Sequence, residues 1–422
     1  MTDAEREAFL LPADQMVDLS PARRRYALSF LRLLGYEAPG LSDEQVADVF
    51  SRLARVEEYT THRRHNGHNW EPDFAPPDRQ QEAAVPVIET RVREWAERGL
   101  LTPIDGAPPR WPDGKRFALC LTHDVDSVSG SLLAYRARQL AAMGGAPWRA
   151  KGQVLFSLGR EVLKKCSFRR APDPALAEWM DIEGRHGFSS SFFFLAQPLP
   201  RPHWQDAFYR YTDRVQFGAQ RMPLAQAMRE MADGGWDVGL HGSSRSHRSA
   251  ELLERERRMV SDVCGREVIT TRQHHLFFDI RTTPLCQDRA GMQADSSLGS
   301  NIRSAFRCGT GLPFFLYDLI ADRPLDVLEV PLVVQDIALF RVLQMNAEQV
   351  LGHCTRLLRE AAELGGAVTF LWHNAYRPDG VEFGVYKALL EEADGLGAWG
   401  CSVRQLSDWW RGRARALECG QT

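Results

Sequence analysis

Phe117-Ala118-Leu119-Cys120-Leu121-Thr122-His123-Asp124-Val125-Asp126 is the stretch on which the reading of this chain turns. Six residues without a charge, the length of a buried strand, run into two carboxylates separated by one residue. A strand apolar on both faces belongs in a parallel sheet covered by helices. Residues two apart point the same way from an extended backbone, so Asp124 and Asp126 share a direction at the strand's C-terminal end. There one carboxylate can hold a metal ion while the other takes a proton from water. The competing reading is a loop with two capping aspartates.

Working outward, further short apolar runs occur at 190–196, 237–240, 268–271, 327–331 and 367–372, separated by segments with helical spacing such as 224–232, 251–263, 347–364 and 385–394. Strand and helix in alternation predict an α/β fold with a parallel sheet, and parallel barrels place their chemistry on the loops at the C-terminal strand ends. The residues just after each run are therefore the candidates. His241 and, six residues on, His247 follow the run at 237–240. Arg272, His274 and His275 follow the next one. His373 and Asn374 close the last. Imidazole and carboxylate suit an open catalytic zinc site, and a histidine titrating near neutrality can protonate a leaving amine. Arg272 can pin a carboxylate with its fork. Asp295 and Asp336, also at strand-helix junctions, can orient a histidine or Arg272, or act as caps. Trp204, Phe208, Tyr209, Tyr211 and Trp372 are candidates for an aromatic substrate wall, and core packing accounts for them equally well.

The 422 residues exceed one ordinary domain. Residues 1–112 show helical spacing at 21–34, 43–58 and 85–98 with no strand alternation, and predict a helical N-terminal cap domain. The Pro/Gly-rich stretch 107–114 separates it from a barrel domain at 113–422. The sixty residues between Asp126 and the next strand far exceed an ordinary connection and predict a helical insertion at about 128–188. His62, His65 and His68 in the N-terminal part have no carboxylate or cysteine between them and read better as a polar loop or a solvated helix face than as a metal site. A net charge of −3 gives no electrostatic case for nucleic acid or membrane binding, and no apolar run is long enough for a membrane span. The start of the sequence has no apolar leader, and the eight cysteines are scattered singly, so reduced thiols and a cytoplasmic location are expected.

Five of these segments, in this order, resemble the polysaccharide deacetylase superfamily (NodB homology, carbohydrate esterase family 4) across roughly residues 116–410. Thr122–Asp126 is similar to the family's T-F-D-D-G strand end, and Ser190–Phe194 to its A-T-F-F strand. The loop opening at His241 resembles H-[ST]-x-x-H, Arg272–Leu276 resembles R-x-P-Y-G, and Leu371-Trp372-His373 resembles L-x-H. The resemblance implies a distorted (β/α)7 barrel that hydrolyses an N-acetyl group, with Asp124 as base, Arg272 as its tether and His373 as acid. It implies a divalent metal, zinc by the family's habit, and here the pattern departs. Val125 stands where the family has its ligand aspartate, so that role passes to Asp126. Arg245 stands where the second ligand histidine falls, so either His247 or His274 joins His241 or the metal is absent. The expected substrate is a small-molecule or glycan precursor carrying an N-acetyl group. The rival expectations are a metal-free amide hydrolase and a non-catalytic glycan-binding or scaffold barrel.

Overall fold

The structure is a computed structural model that describes residues 18–59, 84–128, 137–141, 143–144, 148–166, 176–376 and 379–419. In chain order its helices are α1 (Pro21–Leu33), α2 (Asp43–Leu53), α3 (Val87–Glu97), α4 (Trp148–Cys166), α5 (Leu176–Gly184), α6 (Leu224–Asp233), α7 (Ala250–Cys264), α8 (Thr283–Arg289), α9 (Ala347–Leu364), α10 (Val381–Gly395) and α11 (Val403–Cys419). The main sheet comprises β1 (Phe117–Val125), β2 (Ser191–Phe194), β3 (Asp237–Gly242), β4 (Thr270–Gln273), β5 (Ala294–Asp295), β6 (Phe314–Asp318), β7 (Arg323–Glu329), β8 (Val334–Gln335), β9 (Ala367–Leu371) and β10 (Ala398–Cys401). The three histidines at 62, 65 and 68 lie outside the described residues.

The sheet has ten strands in the order β6-β7-β5-β4-β3-β2-β1-β9-β8, and β10 pairs with the first half of β1. Every pairing is parallel except the β6–β7 hairpin. The fold is thus α/β with a curled, mostly parallel sheet, a distorted barrel whose edge strands are β6 and β8. The loop after β5 is tied to the connection between β7 and β8: Leu332 N–H donates to the Leu298 carbonyl at 3.1 Å, and Ala305 N–H to that of Val333 at 3.0 Å. All nine residues of β1 are buried, because the strand is flanked on both edges and covered on both faces.

Alternation along the strands sorts the core into two layers. Phe117, Leu119 and Leu121 point outward, into a cluster with Trp179 of α5, Met228 of α6 and Leu389 of α10. Ala118, Cys120 and Phe193 point inward and share a cluster with Phe30 of α1, Phe50 of α2, Trp95 of α3 and Trp410 of α11. The inward space is tight. A Cβ on Gly239 of β3 would stand 2.6 Å from the Phe193 ring, so only glycine fits there.

The described amino-terminal helices therefore share a hydrophobic cluster with the inner face of the sheet. Polar ties add to this. Glu58 accepts from Arg307 (2.9 Å to each carboxylate oxygen) and from Arg55 (2.9 Å), all buried. Helix starts follow the local sequence: α2 and α9 each begin with a capping box, Ser42 with Gln45 and Asn346 with Gln349. Tyr36–Glu37 pairs with Thr102–Pro103, a two-residue ladder too short for alternation to register in the sequence. No helix among the described residues is long and apolar enough to cross a membrane.

Candidate active site

The inward parity that carries Ala118 and Cys120 into the core carries Thr122, Asp124 and Asp126 to the C-terminal end of the same face. By the same count His241 continues Gly239 on β3, Arg272 and His274 continue Thr270 on β4, and His373 continues Thr369 and Leu371 on β9. Four strands thus deliver these side chains to one mouth.

Arg272 is fully buried and held at every nitrogen. Its Nε donates to the Ser296 carbonyl (2.7 Å), Nη2 to Ser296 Oγ (2.7 Å), and Nη1 to Thr122 Oγ1 (2.7 Å) and Asp124 Oδ1 (3.2 Å). The guanidinium also lies 5.0 Å from the centre of the Phe193 ring. Asp124 is thereby fixed by an immobile cation.

Three imidazoles face Asp126. His241 Nδ1 lies 2.8 Å from the Arg272 carbonyl, which can only accept, so Nδ1 carries a proton and Nε2 of the neutral ring is bare. That Nε2 is 3.6 Å from Asp126 Oδ1 and 3.6 Å from Asp124 Oδ2. His274 Nδ1 donates to Asp206 Oδ1 at 3.2 Å, which leaves its Nε2 3.5 Å from Asp126 Oδ1. His373 Nδ1 donates to Asp336 Oδ1 at 2.7 Å, its backbone N–H donates to the other oxygen of that carboxylate at 2.8 Å, and its Nε2 stands 3.7 Å from Asp126 Oδ2.

Burial disfavours charge on Asp126, but the facing imidazoles, His241 first and then His274 and His373, outweigh it and hold this carboxyl well below the usual range. His373 is pushed up to about 9: burial opposes its charge, and Asp336, then Asp126 and Asp124, more than offset that.

The ligand atoms of Asp126, His241 and His274 lie within 4.8 Å of one another. Asp126 Oδ1 is buried and receives no hydrogen bond, and bare imidazole nitrogens are aimed at it. A cation between these nitrogens and the anionic oxygen would satisfy all of them. Two nitrogens and one carboxylate oxygen, with a side open to solvent, is the donor set of a catalytic zinc or similar divalent ion. The residues present therefore fit such an ion.

Of the two histidines offered by the sequence as the third ligand, His274 joins the group and His247 does not. The loop after β3 is pinned by Ser243 donating to Glu256 (2.6 Å) and Ser244 donating to Asp206 (2.6 Å). The turn at Ser246–Arg248 then lays the His247 ring beside Phe277, 5.7 Å between centres. Arg245, at the family's ligand position, is exposed.

The expected aromatic wall is not where the sequence placed it. Trp372 has outward parity, opposite to His373, and is buried with its indole N–H on the Glu382 carbonyl at 3.2 Å. Tyr209 is buried too, its hydroxyl accepting from Leu195 N–H at 2.7 Å. Trp204 is half-buried on the loop that carries Asp206, and its carbonyl accepts from Gln139 at 3.0 Å. His123, inside the deciding stretch, also faces outward. It stacks on Phe192 and is bound by Glu183 (2.7 Å) and the Trp372 carbonyl (2.7 Å), a core role.

Asp206 is the residue that sequence reading missed. It is fully buried and accepts from His203 N–H, from Ser244 N–H and hydroxyl, and from His274. It sits in an irregular loop, where no period marks it. Of the two aspartates offered as orienting groups, Asp336 holds His373, while Asp295 accepts from Ser297 at 2.7 Å.

No protein-family model matches the chain, and no curated protein matches it by sequence. Solved structures do match it. A putative polysaccharide deacetylase from Mycobacterium smegmatis aligns at 16% identity over 73% of this chain and 94% of that one, with a TM-score of 0.49. A Puue allantoinase aligns at 12% identity over 73% and 95%, TM-score 0.45. A probable polysaccharide deacetylase from Pseudomonas aeruginosa PAO1 aligns at 14% identity over 72% and 95%, TM-score 0.45.

Proposed function

We propose that this protein is a metal-dependent hydrolase of a carbon–nitrogen amide bond, and that its reaction is removal of an acetyl group from an N-acetylated sugar or glycoconjugate precursor. The observation that carries the proposal is the meeting, at one barrel mouth, of a tethered carboxylate (Asp124), a ligand group (Asp126, His241, His274) and an oriented imidazole (His373).

A divalent cation held by Asp126, His241 and His274 would supply Lewis-acid polarisation of the amide carbonyl and a lowered pKa for water. The chain's own residues do the rest. Asp124, pinned by Arg272, accepts the proton of the attacking water. Arg272 itself is fully occupied and acts by position. Asp336 fixes the ring of His373 so that Nε2 faces the mouth, where it passes a proton to the departing amine. The products are acetate and a free amine. A cytoplasmic substrate, nucleotide-linked or lipid-linked, accords with this reading.

The test is acetate release from N-acetylated sugars, with and without a chelator. The proposal expects activity that is lost on chelation and restored by a divalent ion, and a fall of about 10²–10⁴-fold in kcat for Asp124→Asn. Activity indifferent to chelation yet lost in Asp124→Asn would replace it with a metal-free amide hydrolase. Absence of hydrolysis from a metal-loaded protein would favour a non-catalytic barrel.

A further inference from the structure

Helix α4 lies in the long insertion that leaves the site at Asp126 and returns at β2. Residues 137–141 of the same insertion are bound to the loop carrying Asp206: Arg138 donates to Asp213 (2.9 Å) and to the Phe208 carbonyl (2.8 Å), and Gln139 to Trp204. Residues 137–141 are thus anchored at the rim, and α4 comes next among the described helices of the chain.

The solvent face of α4 is apolar. Trp148 is 78%, Phe156 71% and Leu155 55% exposed, and no described large apolar side chain elsewhere exceeds Trp148 or Phe156. At 3.6 residues per turn these three fall within an arc of roughly 100°. Val154, on the opposite side, is buried. Basic residues border the stripe, Arg149 on one side and Lys151 on the other, and the Arg149 guanidinium lies 5.6 Å from the Trp148 ring centre. Within the helix sequence Arg149, Lys151, Arg160, Lys164 and Lys165 stand against one acid, Glu161. On a chain of net charge −3, this is a local concentration of positive charge that the average hides.

We propose that α4 is an interfacial helix that seats the protein on an anionic lipid surface. Trp148, Leu155 and Phe156 enter the headgroup boundary, and the flanking cations meet lipid phosphates. An exposed Trp/Phe/Leu stripe edged by Lys and Arg is the pattern of helices that lie in that boundary without spanning it. A second copy of the chain is a poorer occupant, because two-fold pairing of this face sets one basic helix against another. The inference is independent of the reaction proposed above.

The test is co-sedimentation of the full-length protein with phosphatidylglycerol/phosphatidylcholine vesicles, against phosphatidylcholine alone, at low and high salt. Binding to the anionic vesicles that weakens with salt is expected. The triple variant Trp148→Ser/Leu155→Ser/Phe156→Ser lowers the partition coefficient about tenfold or more. Arg149→Gln/Lys151→Gln, which touches one exposed residue and one half-buried residue whose ammonium also donates to the Gly144 carbonyl (3.2 Å), removes most of the preference for anionic lipid. Failure of the native protein to sediment with anionic vesicles overturns the proposal. So does binding that neither variant weakens. A sedimentation-velocity shift from dimer to monomer in the triple variant, with vesicle binding intact, assigns the face to a second copy and also overturns it.

Discussion

Asp206 shows how a single buried carboxylate decides which histidine faces Asp126. By accepting from His274 Nδ1 it fixes the ring so that Nε2 faces Asp126, and by accepting from Ser244 it holds back the loop that carries His247. Removing such a carboxylate behind a ligand histidine lowers metal affinity about 10–100-fold. Asp206→Ala is expected to do this in a competition titration with a chromophoric chelator, and Asp206→Asn to retain part of the affinity. Equal affinity in all three proteins would deny Asp206 this role. At this scale much of the site was legible beforehand. The spacing of Asp124 and Asp126, and histidines directly after apolar runs, follow from strand alternation alone. Trp372 was misplaced because an aromatic side chain near a strand end has two faces to choose from, and composition does not say which; Tyr209 lies in the irregular loop after β2, where no period assigns it a face. Asp206 was invisible because its partners come from loops distant in sequence.

Between elements, the seam of α3 with the loop before β6 holds an unusual carboxyl. Glu89 is buried. One oxygen accepts from Thr310 (2.8 Å) and from Gly311 N–H (3.1 Å), and the other has no partner. Burial, against these weaker hydrogen bonds, pushes its pKa up to about 7. The folded state therefore holds a proton that the unfolded chain releases near pH 4.5. Below that pH the group costs nothing. As pH rises toward 7 stability falls, by about 3 kcal/mol in order of magnitude, and above 7 the cost is constant. Glu89→Gln is expected to melt at a higher temperature than the native protein at pH 8, the gap closing toward pH 5. A gap independent of pH would contradict this account. Most elements themselves could be read from periodicity: α9 spans the residues its pattern marks, and β1 the run that opened the reading. Most of the strands that were not legible are short. β5 and β8 have two residues each, and β10 is Ala-Trp-Gly-Cys, too short for a period of two to declare itself, while β6, Phe-Phe-Leu-Tyr-Asp, is missed although it has five residues, because its run of apolar and aromatic residues shows no alternation.

Across the whole molecule, the amino-terminal helices are built into the barrel. The sequence predicts a separate cap because a composition change at the Pro/Gly-rich stretch marks a change of secondary structure. It does not reveal that the helices close over the barrel's inner face. The buried Glu58 with Arg55 and Arg307 is one of the ties, and Glu58→Ala would leave two buried guanidinium groups without their shared carboxylate. A loss of about 3–5 kcal/mol is expected. Far-UV and near-UV circular dichroism should report one shared transition, because Trp95 and Trp410 belong to the same core. Two resolved transitions would instead mean that the amino-terminal part melts by itself. What the molecule does depends on the candidate cation site of Asp126, His241 and His274. It is tested most directly by counting bound divalent metal in the native protein, His274→Ala and His247→Ala after identical dialysis. The account predicts about one equivalent in the native protein, retention in His247→Ala and loss in His274→Ala. A native protein without metal, or loss in His247→Ala with retention in His274→Ala, would contradict it.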